Sequence, residues 1–213
     1  VSANAFLLSL GALALLQMLG RLRGGGPEML ILFGIALNFT AAALLSLLQF
    51  VASADALQQL VFWTMGSLAA TRWEGVLLIA LILVGCIPFA IRAAWRLTAL
   101  RMGEEQARSF GVDTRALRRW ALVRVSLLAA GAVSMVGVIG FVGLAGPHIA
   151  RMLVGEDHRF FLPASLLTGA VVLSLASAAS KLVVPGVLLP IGLVTSLIGL
   201  PIFFALILGG RAR

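Results

Sequence analysis

Six stretches of the chain carry no Asp, Glu, Lys or Arg: residues 1–20, 29–54, 75–91, 125–150, 160–180 and 182–210. A helix that crosses a bilayer needs about 20 apolar residues. Lipid offers no partner to a free N–H or C=O, so runs of this length fold as helices. The strict alternation of a membrane β-barrel is absent. The pattern predicts an all-α, polytopic membrane protein with a single domain over residues 1–213.

Read in order, a first helix is expected over 5–19, a turn at Gly24–Gly26 and Pro27, and a second helix over 29–50. Residues 52–68 are apolar but interrupted by Asp55, Gln58, Gln59 and Gly66, which predicts a short helix at the outer surface. Trp63 and Trp73 suit that interface. A third span covers 73–91, with Pro88 as a kink near its inner end. Residues 92–119 are the one sizeable polar segment. Glu104, Glu105, Ala107, Arg108 and Phe110 predict a short amphipathic helix, ended by Gly111. Asp113 or Thr114 would cap a second short helix from Arg115. Spans over 120–138 and 141–154 follow, then an inner turn of Glu156, Asp157, His158 and Arg159. A span over 163–180, an outer connection built on Pro185, Gly186 and Pro190, and a last span over 192–208 complete seven.

Composition agrees. The 213 residues are 61% hydrophobic and 11% charged, against about 25% charged in a soluble domain, and mean hydropathy is +1.10. The net charge of +8 would suit a nucleic-acid binder, but its placement does not: fourteen of the sixteen basic residues fall in alternate, inner connections, leaving Arg72 and Lys181 outside. This is the positive-inside pattern. The chain begins at Val1 inside an apolar run, with neither the basic flank nor the cleavage site of a signal peptide, and a fragment of a longer protein is expected.

Candidate chemistry is sparse. Cys86 sits in an apolar run and reads as a small packed side chain. Two histidines, His148 and His158, without an HxxxH or CxxC pair argue against a metal site, and no cofactor is expected. His158, between Asp157 and Arg159, reads as part of a local hydrogen-bonded turn. Gly137, Gly140, Gly143 and Gly146 recur every third residue and read as close helix packing. Asn38, Thr40, Ser46 and Gln49 give the second helix a sparse polar face that could line a path or bond a neighbouring helix. No span is expected to carry a buried charge, which argues against an ion-coupled secondary transporter. A membrane-embedded enzyme would need a catalytic cluster that is missing, and no GxxxxGK[ST] phosphate loop occurs.

Four stretches stand out: GIALN at 34–38, GEEQARSFGVDTRALR at 103–118, GFVGLAGPHIARMLVGEDHRFFLPASLLTGA at 140–170 and LPIGLVTSLIGLPIFFALIL at 189–208. In order and spacing they resemble the FecCD-type permeases, the membrane subunits of ABC importers for iron–siderophore complexes, haem and cobalamin. The resemblance implies about ten spans, of which this chain holds the fourth through tenth. It implies a bacterial cytoplasmic (inner) membrane location and transport without enzymatic activity of its own. The implied partners are a second permease copy, two ATP-binding subunits and a periplasmic or lipid-anchored substrate-binding protein. It makes 102–119 the ATPase-coupling loop, with Gly103, Glu104, Glu105, Ala107, Arg108, Gly111 and Val112 as its docking residues. It places Lys181 at the binding-protein contact and Asn38, Thr40 and Gln49 as candidates for the pathway. Two departures stand at the outer face. The family's AD-x-x-AR pattern reads ASAASK at 176–181, so Ser177 replaces Asp and Lys181 replaces Arg, and Leu188 stands where the family has Glu. A lysine keeps the charge but lacks the bidentate fork of arginine.

Overall fold

The computed structural model describes residues 2–22, 27–69, 71–183 and 189–209. The glycines at 24–26, Arg23, Pro185, Gly186, Leu188, Arg211 and Arg213 lie outside the described residues. Among the described residues the structure is helical and without strands: α1 (Ser2–Leu22), α2 (Pro27–Val51), α3 (Ala54–Thr64), α4 (Trp73–Leu100), α5 (Glu104–Ser109), α6 (Thr114–Val136), α7 (Val142–Val154), α8 (His158–Leu182) and α9 (Ile191–Gly209). Stretches of α2, α4, α6 and α8 are long and apolar enough to cross a membrane; α1, α7 and α9 hold shorter apolar stretches.

Three boundaries differ from expectation for a local reason. At one of them α8 starts at His158 and not at Pro163, because Asp157 caps it, so His158 and Arg159 belong to the helix and not to the turn. The helix begun at Trp73 does not stop at Ile91 but continues through Arg92 and Arg96 to Leu100. Its last turns are Ala, Leu, Arg and Trp with the single Thr98, and no glycine intervenes before Gly103. The expected pair of short inner helices is a single one, α5. The second is the start of α6, because Asp113 caps it by accepting from Ala116 N at 2.9 Å and no Gly or Pro breaks the run from Thr114 to Ala130. Residues 114–119, assigned to the loop, are therefore the first turns of a long helix.

The interior is built from small side chains. Ala93, Ala94, Ala99, Ala107, Ala130, Ala150 and Ala176 are buried, while Phe50 and Trp73 are 88% and 87% exposed. With lipid outside, apolar bulk gains little by turning inward, and contact comes from close backbone approach. A Cβ on Gly131 would stand 2.9 Å from the Ile82 side chain between α6 and α4, and one on Gly146 would stand 3.0 Å from Gly169 Cα between α7 and α8. Thr168 Oγ1 donates to Gly146 O at 2.8 Å across that last seam. Gln17 Nε2 donates to Ser126 Oγ at 3.4 Å between α1 and α6.

The glycine series at 137–146 is not one packing stripe. Residues 137–141 are the break between α6 and α7, and of the four glycines only Gly146 sits in a helix seam; Gly143 has nothing within 4 Å. Gly137, at φ +74°, ends α6. Here three chain breaks meet. Ser67 N donates to Val136 O at 2.8 Å, Ile191 N to Gly66 O at 3.2 Å, and Gly192 N to Met65 O at 3.1 Å. The loop after α3, the α6–α7 break and the start of α9 thus share backbone hydrogen bonds. Glycine stands at each closest approach: a Cβ would lie 2.7 Å from Val138 O at Gly66, 2.4 Å from Trp63 O at Gly137 and 2.3 Å from Met65 O at Gly192. Beside this junction, Phe141 adopts a left-handed conformation (φ 64°) and its ring packs against Gly199, where a Cβ would be 2.6 Å away.

Gly146→Leu is expected to force α7 off α8 and to destabilise the protein by about 1–3 kcal/mol, whereas Gly143→Ala leaves stability within about 0.5 kcal/mol. Thermal unfolding of the two variants in detergent, followed by loss of the monodisperse chromatographic peak, separates them.

Candidate functional site

The end of α4, the start of α6 and the α7–α8 turn form a polar corner around α5. Gly103 enters α5 at φ 115°, ψ 152°, a conformation open to glycine. Nothing would touch a Cβ there, so the backbone angle alone requires the residue. Glu104 and Glu105 occupy the first turn, where acidic groups complement the helix dipole. The helix ends as expected at Gly111. With φ +77°, its N–H donates to Arg108 O at 2.9 Å and that of Val112 to Ala107 O at 3.0 Å, the paired bonds of a Schellman cap.

Packing and charge hold this short element rigid. Ala107 is fully buried and joins Val112, Leu117, Ala93 and Ala99 in one apolar cluster. Glu104 accepts from Arg108 Nη2 at 3.2 Å and also pairs with Arg118 of α6. Arg108 Nε donates to the buried Thr114 Oγ1 at 3.3 Å. What α5 leaves outward is Glu105, Gln106 and Phe110, with Met102 beside them; Phe110 and Met102 are 56% and 55% exposed. The seven sequence-predicted residues thus divide. Gly103, Glu104, Ala107, Arg108, Gly111 and Val112 build the shape, and Glu105 lies on the exposed surface together with much of the Arg108 side chain.

Sequence reasoning missed the tie between this corner and the α7–α8 turn. Gly155 (φ +75°) ends α7, and Asp157 caps α8 by accepting from Arg159 N at 3.0 Å. The turn is not only local. His158 N donates to Thr98 Oγ1 of α4 at 3.0 Å, and His158 Nδ1 lies 3.3 Å from the same hydroxyl. Glu156 pairs with Arg101 and, at 3.4 Å, with Arg151. Arg151 lies 5.8 Å over the ring of Phe161, which also meets His158 edge-on. The charged GEDHR run signalled a turn, but Thr98 sits 60 residues away with no sequence mark.

The remaining candidates lie elsewhere. Lys181 is exposed near the end of α8, in a shallow recess that it shares with Ser177 and Leu68; among the described residues it has no ion pair. Ser177 and Lys181, which stand at the Asp and Arg positions of the AD-x-x-AR pattern, therefore line one surface. On α2, Asn38 and Gln49 are eleven residues apart, about 20° around the helix from each other, while Thr40 stands about 200° from Asn38. The three do not share a face. Thr40 Oγ1 and Ser46 Oγ donate to Ala36 O and Ala42 O of their own helix, each at 2.9 Å. Among the described residues no acid, histidine or cysteine cluster could hold a metal.

Thr98→Ala removes the acceptor of the His158 amide. The expected cost is about 1–3 kcal/mol, with faster hydrogen exchange at His158; Thr98→Ser restores both. Exchange of that amide unchanged in the alanine variant would contradict the tie.

Comparison with known proteins follows the same outline. A family profile described as the FecCD transport family matches residues 1–209. The hemin transport system permease protein of Yersinia pestis is 38% identical over 211 residues, covering 99% of this chain and 63% of that protein. The vitamin B12 import system permease protein of Vibrio cholerae is 35% identical, covering 82% of this chain and 52% of its own length. A metal-chelate type ABC transporter, solved in an inward-facing conformation, superposes with a TM-score of 0.87 at 35% identity over 96% of this chain and 65% of that one. The chain spans between half and two thirds of the length of these proteins. This multi-pass membrane protein belongs to the FecCD transport family.

Proposed function

We propose that the chain is the larger part of the permease subunit of a binding-protein-dependent ABC importer, and that residues 102–119 are where its motor docks. The observation that carries this reading is the corner itself: a six-residue helix clamped by Ala107, Glu104 and the Gly111 cap, presenting Phe110, Met102 and Glu105 outward. A segment that transmits force to transport helices has to be stiff and continuous with them. Here α5 is bonded to α4 on one side and to α6 on the other.

In this reading seven helices cross the bacterial inner membrane, α1, α7 and α9 joining the four long ones. Two ATP-binding subunits dock on α5 and carry out the hydrolysis, so the chain is not itself an enzyme. A second permease copy lies against α2, which is exposed along its length. A soluble binding protein meets the Lys181 recess. Residues Asn38 and Gln49, which share a face, line the path; Thr40 does not. The cargo is an iron–siderophore complex. Relatives whose names specify hemin, vitamin B12 and iron(3+)-hydroxamate support a bulky chelate, and a relative named for molybdate defines the contrasting small-anion class. The lack of charged residues in the apolar runs weighs against a gradient-driven carrier.

Phe110→Asp with Glu105→Arg, both on the exposed side of α5, is expected to weaken ATPase binding by about thirtyfold, the equivalent of about 2 kcal/mol for a buried aromatic anchor. Insertion stays unchanged, and stability falls by no more than about 1 kcal/mol through the charge placed at the α5 N-terminus. The measurement is co-purification of the ATPase subunit with the intact parent protein in detergent, paired with ATP-dependent uptake of ferric siderophore, hemin, cobalamin and molybdate into vesicles. Undiminished ATPase recovery would remove the docking assignment, and uptake confined to molybdate would remove the chelate.

A further inference from the structure

Between α4 and α6, directly beside the corner, lies an open groove of about 870 Å3. Its deeper walls are apolar: Leu81, Ile82 and Phe89 from α4 and Leu127 from α6. Toward the corner the lining changes. Arg92, Arg96 and Arg124 reach it, with Trp95 and Trp120 beside them, 49% and 61% exposed. Gly111, Val112 and Asp113 close the inner end.

The charges are unbalanced. Among the described residues Arg92 and Arg96 have no acidic partner, and Arg124 donates only to Phe89 O at 3.4 Å. Asp113 is the one carboxylate in the lining, and it is engaged in capping α6. The groove is therefore a cationic mouth on an apolar slot. An apolar helix laid over it would bury unpaired guanidinium groups, and a soluble anion would leave the walls bare. One molecule matches both parts. From Leu81 to Arg92 is eleven residues of helix, about 16 Å, and one leaflet is half of the roughly 30 Å hydrocarbon core. Guanidinium groups bind phosphate by paired hydrogen bonds, basic pockets between helices on the inner side take anionic head groups, and tryptophans mark the interface level.

We propose that this groove is a binding site for an anionic phospholipid of the cytoplasmic leaflet. Its phosphate lies on Arg92, Arg96 and Arg124, and its acyl chains run along Leu81, Ile82 and Phe89. Because Gly111, Val112 and Asp113 form the inner end, the head group also touches the connection between α5 and α6.

The test uses the intact parent protein, with phosphatidylglycerol and phosphatidylcholine as probes. In native mass spectrometry phosphatidylglycerol adducts should outlast phosphatidylcholine adducts. Arg92→Gln with Arg96→Gln should lower that preference by about thirtyfold, the factor for about 1 kcal/mol per cation at an anionic surface. Arg72→Gln, at the opposite end of α4, should leave it intact. In nanodiscs, brominated phosphatidylglycerol should quench Trp95 and Trp120 more than brominated phosphatidylcholine, read as the quenching lost in Trp95→Phe and Trp120→Phe. Equal quenching by the two lipids overturns the proposal, since the groove then does not select the head group, and quenching by neither overturns it because another segment of the parent chain then fills the groove. A preference that survives loss of Arg92 and Arg96 overturns it as well.

Discussion

Wherever a helix stops inside an apolar molecule, its backbone groups need partners that neither lipid nor hydrophobic side chains supply. In this chain three such stops satisfy one another. The residues after α3, the break between α6 and α7 and the first turn of α9 exchange main-chain hydrogen bonds, and the exchange works only because Gly66, Gly137 and Gly192 let carbonyl oxygens approach where a Cβ would stand. Ile191 and Val194, buried with Ala176 next to the junction, anchor α9 to α8. The relative placement of α3, α6, α7 and α9 follows from that meeting point.

The other end of α6 is held differently. Around α5 the links are side-chain links: Glu104 with Arg108 and Arg118, Glu156 with Arg101 and Arg151, Thr98 with the His158 amide. The ion-paired side chains are between 33% and 55% exposed, and pairs of that kind contribute about 0–1 kcal/mol each. The stiffness of α5 therefore rests mainly on the buried Ala107 cluster and the two caps, while the charges select which neighbours it sits against. One end of the molecule is fixed by main chain, and the other can be retuned by surface substitution.

Sequence made the helices legible because charge-free runs of spanning length have few other solutions. It also located α5 and its Gly111 cap, since glycine after a short amphipathic run carries a local conformational meaning. What it could not supply was distance. Thr98 is an unremarkable residue in a helix until the fold brings His158 to it. The glycines at 137–146 read as a stripe because their spacing is helical, yet Gly137 and Gly140 lie in a loop whose partners come from residues 63–66 and 196. Asn38, Thr40 and Gln49 read as a polar face from composition, and the helical angle separates Thr40 from the other two. The arginines at 92, 96 and 124 were visible as an inner charge cluster; that they gather at one groove needed α4 to run past Ile91.

The junction also sets how mutations in this protein could be repaired. When alanine replaces Gly131, the offending neighbour is the end of the Ile82 side chain, and shortening that residue makes room; a genetic selection would recover such revertants at position 82. When alanine replaces Gly192, the neighbours are the carbonyl oxygens of Met65 and Val138, which every amino acid carries. No second substitution at those two positions removes the obstacle. The two kinds of glycine are equally small and equally silent in the sequence, but only one of them has intragenic suppressors among its contacts.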